Sequence, residues 1–172
     1  EIYDAGQHLL TLVNDILDIV HIEQNRLAIK LETCDLNAVM CQSINLVKQL
    51  AKNNSISLLS EACSISVMAD ITRLKQVLIN VLTNAIKYNR AGGTVTLRSS
   101  TLQGNRVQIS IHDTGVGISK ADQAIIFSPL TRLKYAEEMQ IDGSGIGLSL
   151  CQSLLTEMKG NISVESDVDV GS

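Results

Sequence analysis

One stretch, DITRLKQVLINVLTNAIKYNR at residues 70 to 90, leaves this chain few choices of fold. Leu74, Val77, Leu78, Val81, Leu82 and Ala85 recur at steps of three and four, which puts them on one face of an α-helix. A face that apolar has to lie on a second layer. Downstream, Thr94 to Thr101 and Arg106 to His112 alternate apolar and polar residues around Leu102-Gln103-Gly104-Asn105, the pattern of two strands that each bury one side. Helices covering one face of a sheet is the expected architecture.

Opposite the apolar stripe, Gln76, Asn80, Asn84 and Lys87 fall on one narrow arc of the same helix. Asparagine is roughly 0.5 kcal/mol or more worse than alanine in a helix, so two of them one turn apart call for a reason beyond solvation. Neutral carbonyl oxygens followed by a lysine suit hydrated Mg²⁺ and the phosphates it accompanies, because Mg²⁺ takes hard oxygen ligands and keeps several waters. A solvated face is the plainer alternative.

Composition narrows the function. The chain has 172 residues with Lys+Arg 14 against Asp+Glu 18, and only 2% are aromatic, so it lacks the basic patch and stacking platform of a nucleic-acid binder. Cys34, Cys41, Cys63 and Cys151 show no zinc or redox spacing and read as reduced, small apolar residues of a cytosolic protein. No apolar run reaches the ~20 residues of a membrane span, and no leader precedes Glu1. A soluble, cytoplasmic piece is expected, whether or not its parent chain is anchored in a membrane.

Taken in order, Ile2, Ala5, Leu9, Leu12, Ile16 and Ile19 form a heptad widened by Val13, Leu17 and Val20, as in one helix of a bundle. After Glu23-Gln24-Asn25 the period changes to two, with Leu27, Ile29 and Leu31 alternating, which predicts a strand and a domain boundary there. Asp35 is placed to cap a helix reaching about Asn53, short strands follow at Ile56 to Leu59 and Ile65 to Met68, and Asp70 caps the asparagine helix.

Asp113-Thr114-Gly115-Val116-Gly117-Ile118 closes the second long strand. A tight strand exit is the simple reading; the functional one is a carboxylate that accepts from an exocyclic amine beside glycines that admit a planar ligand. Residues 119 to 127 read as a short helix ending at Phe127, and Ser128 to Asp142 is a polar stretch with the length of a lid. Gly143-Ser144-Gly145-Ile146-Gly147-Leu148 then opens an apolar helix, where backbone N–H groups and the helix dipole suit phosphate. No strand directly precedes these glycines, which excludes a dinucleotide fingerprint. Gly160 ends the helix, and Asn161 to Ser166 is read as a further strand.

In this order, N-x-x-x-N with Lys87-Tyr88-Asn89, then D-T-G-V-G, then Phe127-x-Pro129-Leu130, then G-S-G-I-G-L, the chain resembles the ATP-binding catalytic domain of bacterial sensor histidine kinases. The wider family, GHKL or Bergerat-fold, includes type II topoisomerases, the ninety-kilodalton heat-shock chaperones and mismatch-repair ATPases. The resemblance implies an α/β two-layer sandwich, with a mixed sheet covered by helices on one face, preceded by a long helix of a dimeric four-helix bundle. Residues 1–25 would be the second helix of the dimerisation and phosphotransfer hairpin, and residues 26–172 the catalytic domain.

By the same resemblance Asn84 is the main Mg²⁺ ligand with Asn80 near the metal and phosphates. Lys87 meets phosphate, Tyr88 lies beside the nucleotide and Asp113 binds the adenine amine. Gly115, Gly117 and Ile118 shape the adenine pocket. Phe127 and the run Gly143, Ser144, Gly145, Ile146, Gly147 and Leu148 belong to the lid, and Arg132 steadies the transferring phosphate. Asn80, Lys87 and Arg132 form the catalytic set. Hydrolytic relatives carry a glutamate where Asn80 stands, so transfer to a histidine is favoured over ATP hydrolysis.

The implied cofactors are ATP and Mg²⁺. The implied partners are the protein's own phosphotransfer helix, a response-regulator receiver domain and a second copy of the chain; nucleic acid is not among them. The acceptor histidine belongs to a helix not present in this sequence, and His8, His21 and His112 are not placed to replace it. A non-catalytic ATP/ADP-binding regulatory module and a GHKL-type ATPase are the alternatives.

Overall fold

A computed structural model describes residues 2–24, 26–133 and 143–172. The chain divides into two compact units, Glu1–Ile29 with Ile125–Ile162, and Lys30–Ala124 with Ser163–Ser172.

The second unit is built on the asparagine helix. It comprises β1 (Glu32–Asp35), α2 (Leu36–Asn53), β2 (Ser57–Ser60), β3 (Ser66–Ala69), α3 (Ile71–Lys87), β4 (Thr94–Leu102), β5 (Arg106–Asp113) and the single turn α4 (Lys120–Gln123). Strand order is β2-β4-β5, with β2 parallel and β5 antiparallel to β4, so the sheet is mixed. Leu58 lies opposite Val95 and Leu97 opposite Ile111, which lines apolar side chains on one face. Against that face pack α2, through Val47 and Ala51, and α3, through Leu82, Ala85 and Ile86. This is the expected two-layer arrangement. A separate two-stranded sheet joins β1 and β3 antiparallel, Cys34 opposite Val67.

Both predicted caps form. The Asp35 carboxylate accepts from Asn37 N and Ala38 N at 2.9 and 3.3 Å and starts α2. Asp70 Oδ1 accepts from Thr72 N and Arg73 N at 3.0 and 3.1 Å, while its Oδ2 accepts from Lys30 N. The buried stripe of α3 is Leu74, Val77, Leu78, Leu82, Ala85 and Ile86. Val81 is only half-buried, because a period of 3.6 drifts across the stripe and brings Ile86 in at its far end.

Three expectations are corrected. Leu27, Ile29 and Leu31 alternate but form no strand, and pairing starts at Glu32 opposite Ala69. The partner strand ends at Ala69, where Asp70 begins the α3 cap and itself takes the Lys30 N–H. Residues 119 to 127 form only α4 followed by turns, the Gln123 amide folding back onto Ile118 O at 2.7 Å. Asn161 to Ser166 takes no strand conformation: the Ser166 carbonyl accepts from Lys120 Nζ and Gln123 Nε2, and the local bridge joins Asp167 and Gly171.

The first unit holds α1 (Ile2–Glu23) and α5 (Gly147–Glu157), which pack against each other. α5 buries Leu150, Cys151 and Leu154. On α1, Leu9, Leu10, Val13, Ile16, Leu17 and Val20 remain between 37% and 62% exposed, an apolar face far larger than a lone surface helix carries. The heptad readings at Ile2, Ala5, Leu12 and Ile19 fall outside the described side chains. No helix among the described residues is long and apolar enough to cross a membrane, and all four cysteines are free.

Candidate functional site

The polar strip of α3 survives folding as a half-buried surface. Gln76, Asn80, Asn84 and Lys87 are all intermediate in exposure, and Asn84 Nδ2 donates to Asn80 Oδ1 at 3.4 Å. That bond sets the two amides as a pair and directs Asn84 Nδ2 toward its neighbour, leaving the Asn84 carbonyl oxygen as its acceptor. Arg73 donates to Gln76 Oε1 at 2.8 Å one turn earlier.

Tyr88 is the C-cap of α3, and its carbonyl accepts from Val116 N at 3.1 Å, which fastens the D-T-G-V-G loop to the end of the asparagine helix. Asn89 reinforces that junction. Its Nδ2 donates to Thr94 O at 3.2 Å, and its Oδ1 accepts from Arg90 N at 2.9 Å and from Thr114 Oγ1 at 3.3 Å. The glycines are there for contact: a Cβ on Gly115 would run into Tyr88 O, and one on Gly117, which sits at φ +69, into Asp167 O.

Asp113, the last residue of β5, lies opposite Val95. One carboxylate oxygen accepts from Gly115 N at 2.8 Å, and its own N–H donates to Ser172 O at 2.9 Å. Burial pushes the carboxyl pKa up; the N–H groups of Gly115 and Ser172 and the neighbouring His112 pull it back only in part. A half-buried carboxylate with a raised pKa is an acceptor that gains from a donor brought to it.

Two residues that sequence reasoning assigned no role complete this edge. Ser166 is 5% exposed; its hydroxyl accepts from Ile118 N at 2.7 Å and lies 2.8 Å from Gly171 O and 2.9 Å from Ser172 Oγ. Thr114 Oγ1 accepts from Thr94 N at 2.9 Å while bonded to Asn89. Thr114 sits inside a motif that was read for its Asp and Gly, and nothing in the sequence marks Ser166. Arg90 pairs with Asp169, whose N–H donates to Val116 O at 2.8 Å.

Asn80, Asn84, Lys87, Tyr88, Asp113, Gly115, Gly117 and Ile118 thus belong to one compact unit. Phe127, Arg132 and the run from Gly143 to Leu148 belong to the other, while residues 134–142 of the expected lid lie outside those described. Within that unit Phe127 is half-buried and Arg132 exposed. Gly145, at φ +70, has no room for a Cβ beside Thr131 O at 2.7 Å. Ser144 Oγ accepts from Ile146 N at 3.2 Å, and Ile146 opens α5 without a side-chain cap. Ile146 is buried, Gly147 starts the helix and Leu148 is half-buried. A separate open cleft of about 440 Å³ near the start of α2, lined by Asp35, Asn37 and Cys63 to Ser66, includes none of these residues. Among the described residues no cluster of three or more His, Cys, Asp or Glu is placed to hold a metal.

The chain as a whole is similar to known proteins. Residues 69–172 match the family described as histidine kinase-, DNA gyrase B- and HSP90-like ATPase. The circadian input-output histidine kinase CikA of Synechococcus elongatus is 37% identical over 175 residues, which span 99% of this chain and 23% of that protein. The virulence sensor protein BvgS of Bordetella bronchiseptica is 35% identical, over 99% of this chain and 14% of its own length. The chain therefore spans less than a quarter of these relatives. Among solved structures, full-length ShkA in complex with AMPPNP superposes with a TM-score of 0.84 at 30% identity, covering 98% of this chain and 35% of that one. The fold, the ordered motifs and these matches agree: the chain belongs to the histidine kinase-, DNA gyrase B- and HSP90-like ATPase family, and the curated relatives named here are sensor proteins of that family.

Proposed function

We propose that the full-length protein is a two-component sensor histidine kinase, and that residues 26–172 are its ATP-binding catalytic domain, with residues 1–25 the second helix of the dimerisation and phosphotransfer hairpin. The observation that carries this reading is the amide pair on α3, Asn84 bonded to Asn80, in the same compact unit as the half-buried carboxylate of Asp113. Asp113 accepts the exocyclic amine of adenine, Gly115, Gly117 and Ile118 line the base, and Tyr88 lies beside it. The donor set fits Mg²⁺, which commonly takes one or two protein oxygens and completes its shell with water and phosphate: Asn84 Oδ1 is the main ligand and Asn80 stands near it. When bound, Mg²⁺ supplies neutralisation of phosphate charge.

Lys87 meets the phosphates from the last turn of α3. Arg132 steadies the transferring group, and the glycine run with the uncapped first turn of α5 offers backbone donors, with Phe127 and Leu148 as apolar lid residues. Position 80 carries an amide where water activation needs a base. Positioning and charge neutralisation therefore serve a protein nucleophile, and the γ-phosphoryl group passes to a histidine nitrogen with ADP leaving. The histidine then supplies a response-regulator aspartate. The exposed apolar face of α1 is where a second helix and a second copy of the chain pack, making the protein a homodimer. ATP supply and a receiver-domain partner place the module in the cytoplasm.

The test is a calorimetric titration with Mg-ATP, followed by transfer from [γ-³²P]ATP to an added phosphotransfer hairpin carrying its acceptor histidine. Binding that weakens without Mg²⁺ in the wild type but not in Asn84→Ala, together with label on the hairpin, is the expected result. A folded chain that binds no ATP, or binds it and releases only inorganic phosphate, refutes the proposal.

A further inference from the structure

Asn89, the residue after the C-cap of α3, carries an amide with one workable orientation. Its Nδ2 donates to Thr94 O at 3.2 Å. Its Oδ1 accepts from Arg90 N at 2.9 Å and from Thr114 Oγ1 at 3.3 Å, which fills both lone pairs. The Thr114 hydroxyl therefore gives its proton to Asn89 and accepts from Thr94 N at 2.9 Å, while Thr114 N donates to Thr94 O at 3.1 Å. Turning the amide over would set an NH₂ group against the Arg90 N–H and an oxygen against Thr94 O. Gly93 leaves the room for it, since a Cβ there would collide with Asn89 Oδ1. One side chain thus ties the end of α3 to the first residue of β4 and to the D-T-G-V-G loop.

The two halves of the proposed nucleotide site are each closed on themselves. Asn84 Nδ2 bonds Asn80 Oδ1 within α3, and Asp113 accepts from Gly115 N within the loop. Packing through Leu82, Ala85 and Ile86 places α3 on the sheet. The loop is set against the helix end by the junction, where Val116 N donates to Tyr88 O and Asn89 supplies the side-chain bonds. We infer that Asn89 is a positioning residue that sets the span between the phosphate and base subsites, so that a nucleoside triphosphate engages both at once. A ligand with both parts gains from a fixed span, because binding one part holds the other at high effective concentration. A ligand with one part gains nothing. The inference rests on Asp113 receiving the base and Asn84 the Mg²⁺-bound phosphates.

The 172-residue chain is titrated with Mg-ATP by calorimetry, and with adenosine and Mg-tripolyphosphate by NMR, because each of these carries half the contacts. In Asn89→Ala, adenosine and Mg-tripolyphosphate bind within about twofold of wild type, while Mg-ATP weakens about fivefold or more, one neutral hydrogen bond's worth. Thr114→Val removes the hydroxyl that Asn89 holds and keeps the shape, so it gives the same pattern, and Thr114→Ser restores wild-type binding. The double variant Asn89→Ala with Thr114→Val loses less than the two single losses combined, since both break one link. If Asn89→Ala does not fold, the two Thr114 variants carry the comparison. All three ligands weakening in step would mark Asn89 as a support of the fold and overturn the inference, as would unchanged Mg-ATP binding in a folded variant. Either result leaves the functional reading standing. A folded wild type that binds none of the three refutes that reading and the inference with it.

Discussion

Asp113→Asn separates recognition of the base from the fold that holds it. In the wild type one carboxylate oxygen accepts from Gly115 N–H at 2.8 Å and the Ser172 N–H also acts on the carboxylate; the lone pairs that remain are those that take the amine of the base. An asparagine keeps its single oxygen on Gly115, since the alternative orients an NH₂ group at an N–H. Its amide nitrogen then occupies the place where the adenine amine arrives, and a donor meets a donor. What is lost is a hydrogen bond to a charged acceptor, about 1.5–3 kcal/mol, so ATP affinity falls roughly 10- to 150-fold. A purine with a 6-oxo group now finds a donor, and binding of inosine triphosphate rises relative to ATP.

The same substitution has a pH signature in the protein without nucleotide. Burial raises the folded-state pKa of Asp113, so in the window above the ordinary carboxylate value the folded state binds more proton than the unfolded one. Stability therefore falls as pH rises from that ordinary value through the folded pKa, and this slope disappears in Asp113→Asn. Chemical denaturation across mildly acidic to neutral pH reads the slope, and calorimetry with ATP and inosine triphosphate reads the switch. A folded Asp113→Asn protein that binds ATP within twofold of wild type, with no gain for inosine triphosphate, refutes the assignment.

Asp70→Ala removes acceptors for three backbone N–H groups, on Thr72, Arg73 and Lys30; the cap alone is worth about 1–2 kcal/mol, a melting temperature lower by roughly 2–8 °C in thermal scans. Desolvation works against these bonds, but they hold the Asp70 pKa below its ordinary value, so its contribution is complete above the ordinary carboxylate range and is lost as pH falls through the folded pKa. Gly117→Ala forces a Cβ onto Asp167 O at φ +69, so a loss of more than about 1 kcal/mol in denaturation is expected, together with weaker nucleotide binding. Ser99 Oγ is buried without a hydrogen-bond partner, and Ser99→Ala should be neutral or raise stability by up to about 1 kcal/mol in the same assay.

The parts of this molecule that could be read directly were those in which one residue type has one physical meaning. The stripe on α3 and the alternation on β4 and β5 encode burial by period, and period survives any tertiary context that buries the face. Asp35 and Asp70 were legible because a carboxylate before an apolar run has few better uses than a helix cap. Leu27, Ile29 and Leu31 show the limit of the same logic. Alternation states which side chains share a face, but a strand also needs a partner backbone, and the partner here turns into α3 at Asp70. The bonds through Ser166 and Thr114 join residues far apart in sequence by hydroxyls, which carry no period and no motif. They become visible only when distances are known.

Most of the local rules broken in the second unit are broken around the same edge. Asparagines stand in the middle of α3, where alanine or leucine would make a better helix. Asp113 is kept in a place that disfavours its charge. Asp169 holds a φ of 67 that glycine would adopt more cheaply, while pairing with Arg90. Each feature opposes stability on its own, and each lies on α3 or on the loops bonded to its end through Tyr88, Asn89 and Val116. A sequence tolerates such conflicts where binding repays them. The clustering is an argument for the site that owes nothing to any motif: a solvated surface or an unused loop would have no reason to keep an expensive carboxylate, two poor helix formers and a strained aspartate bonded into one network.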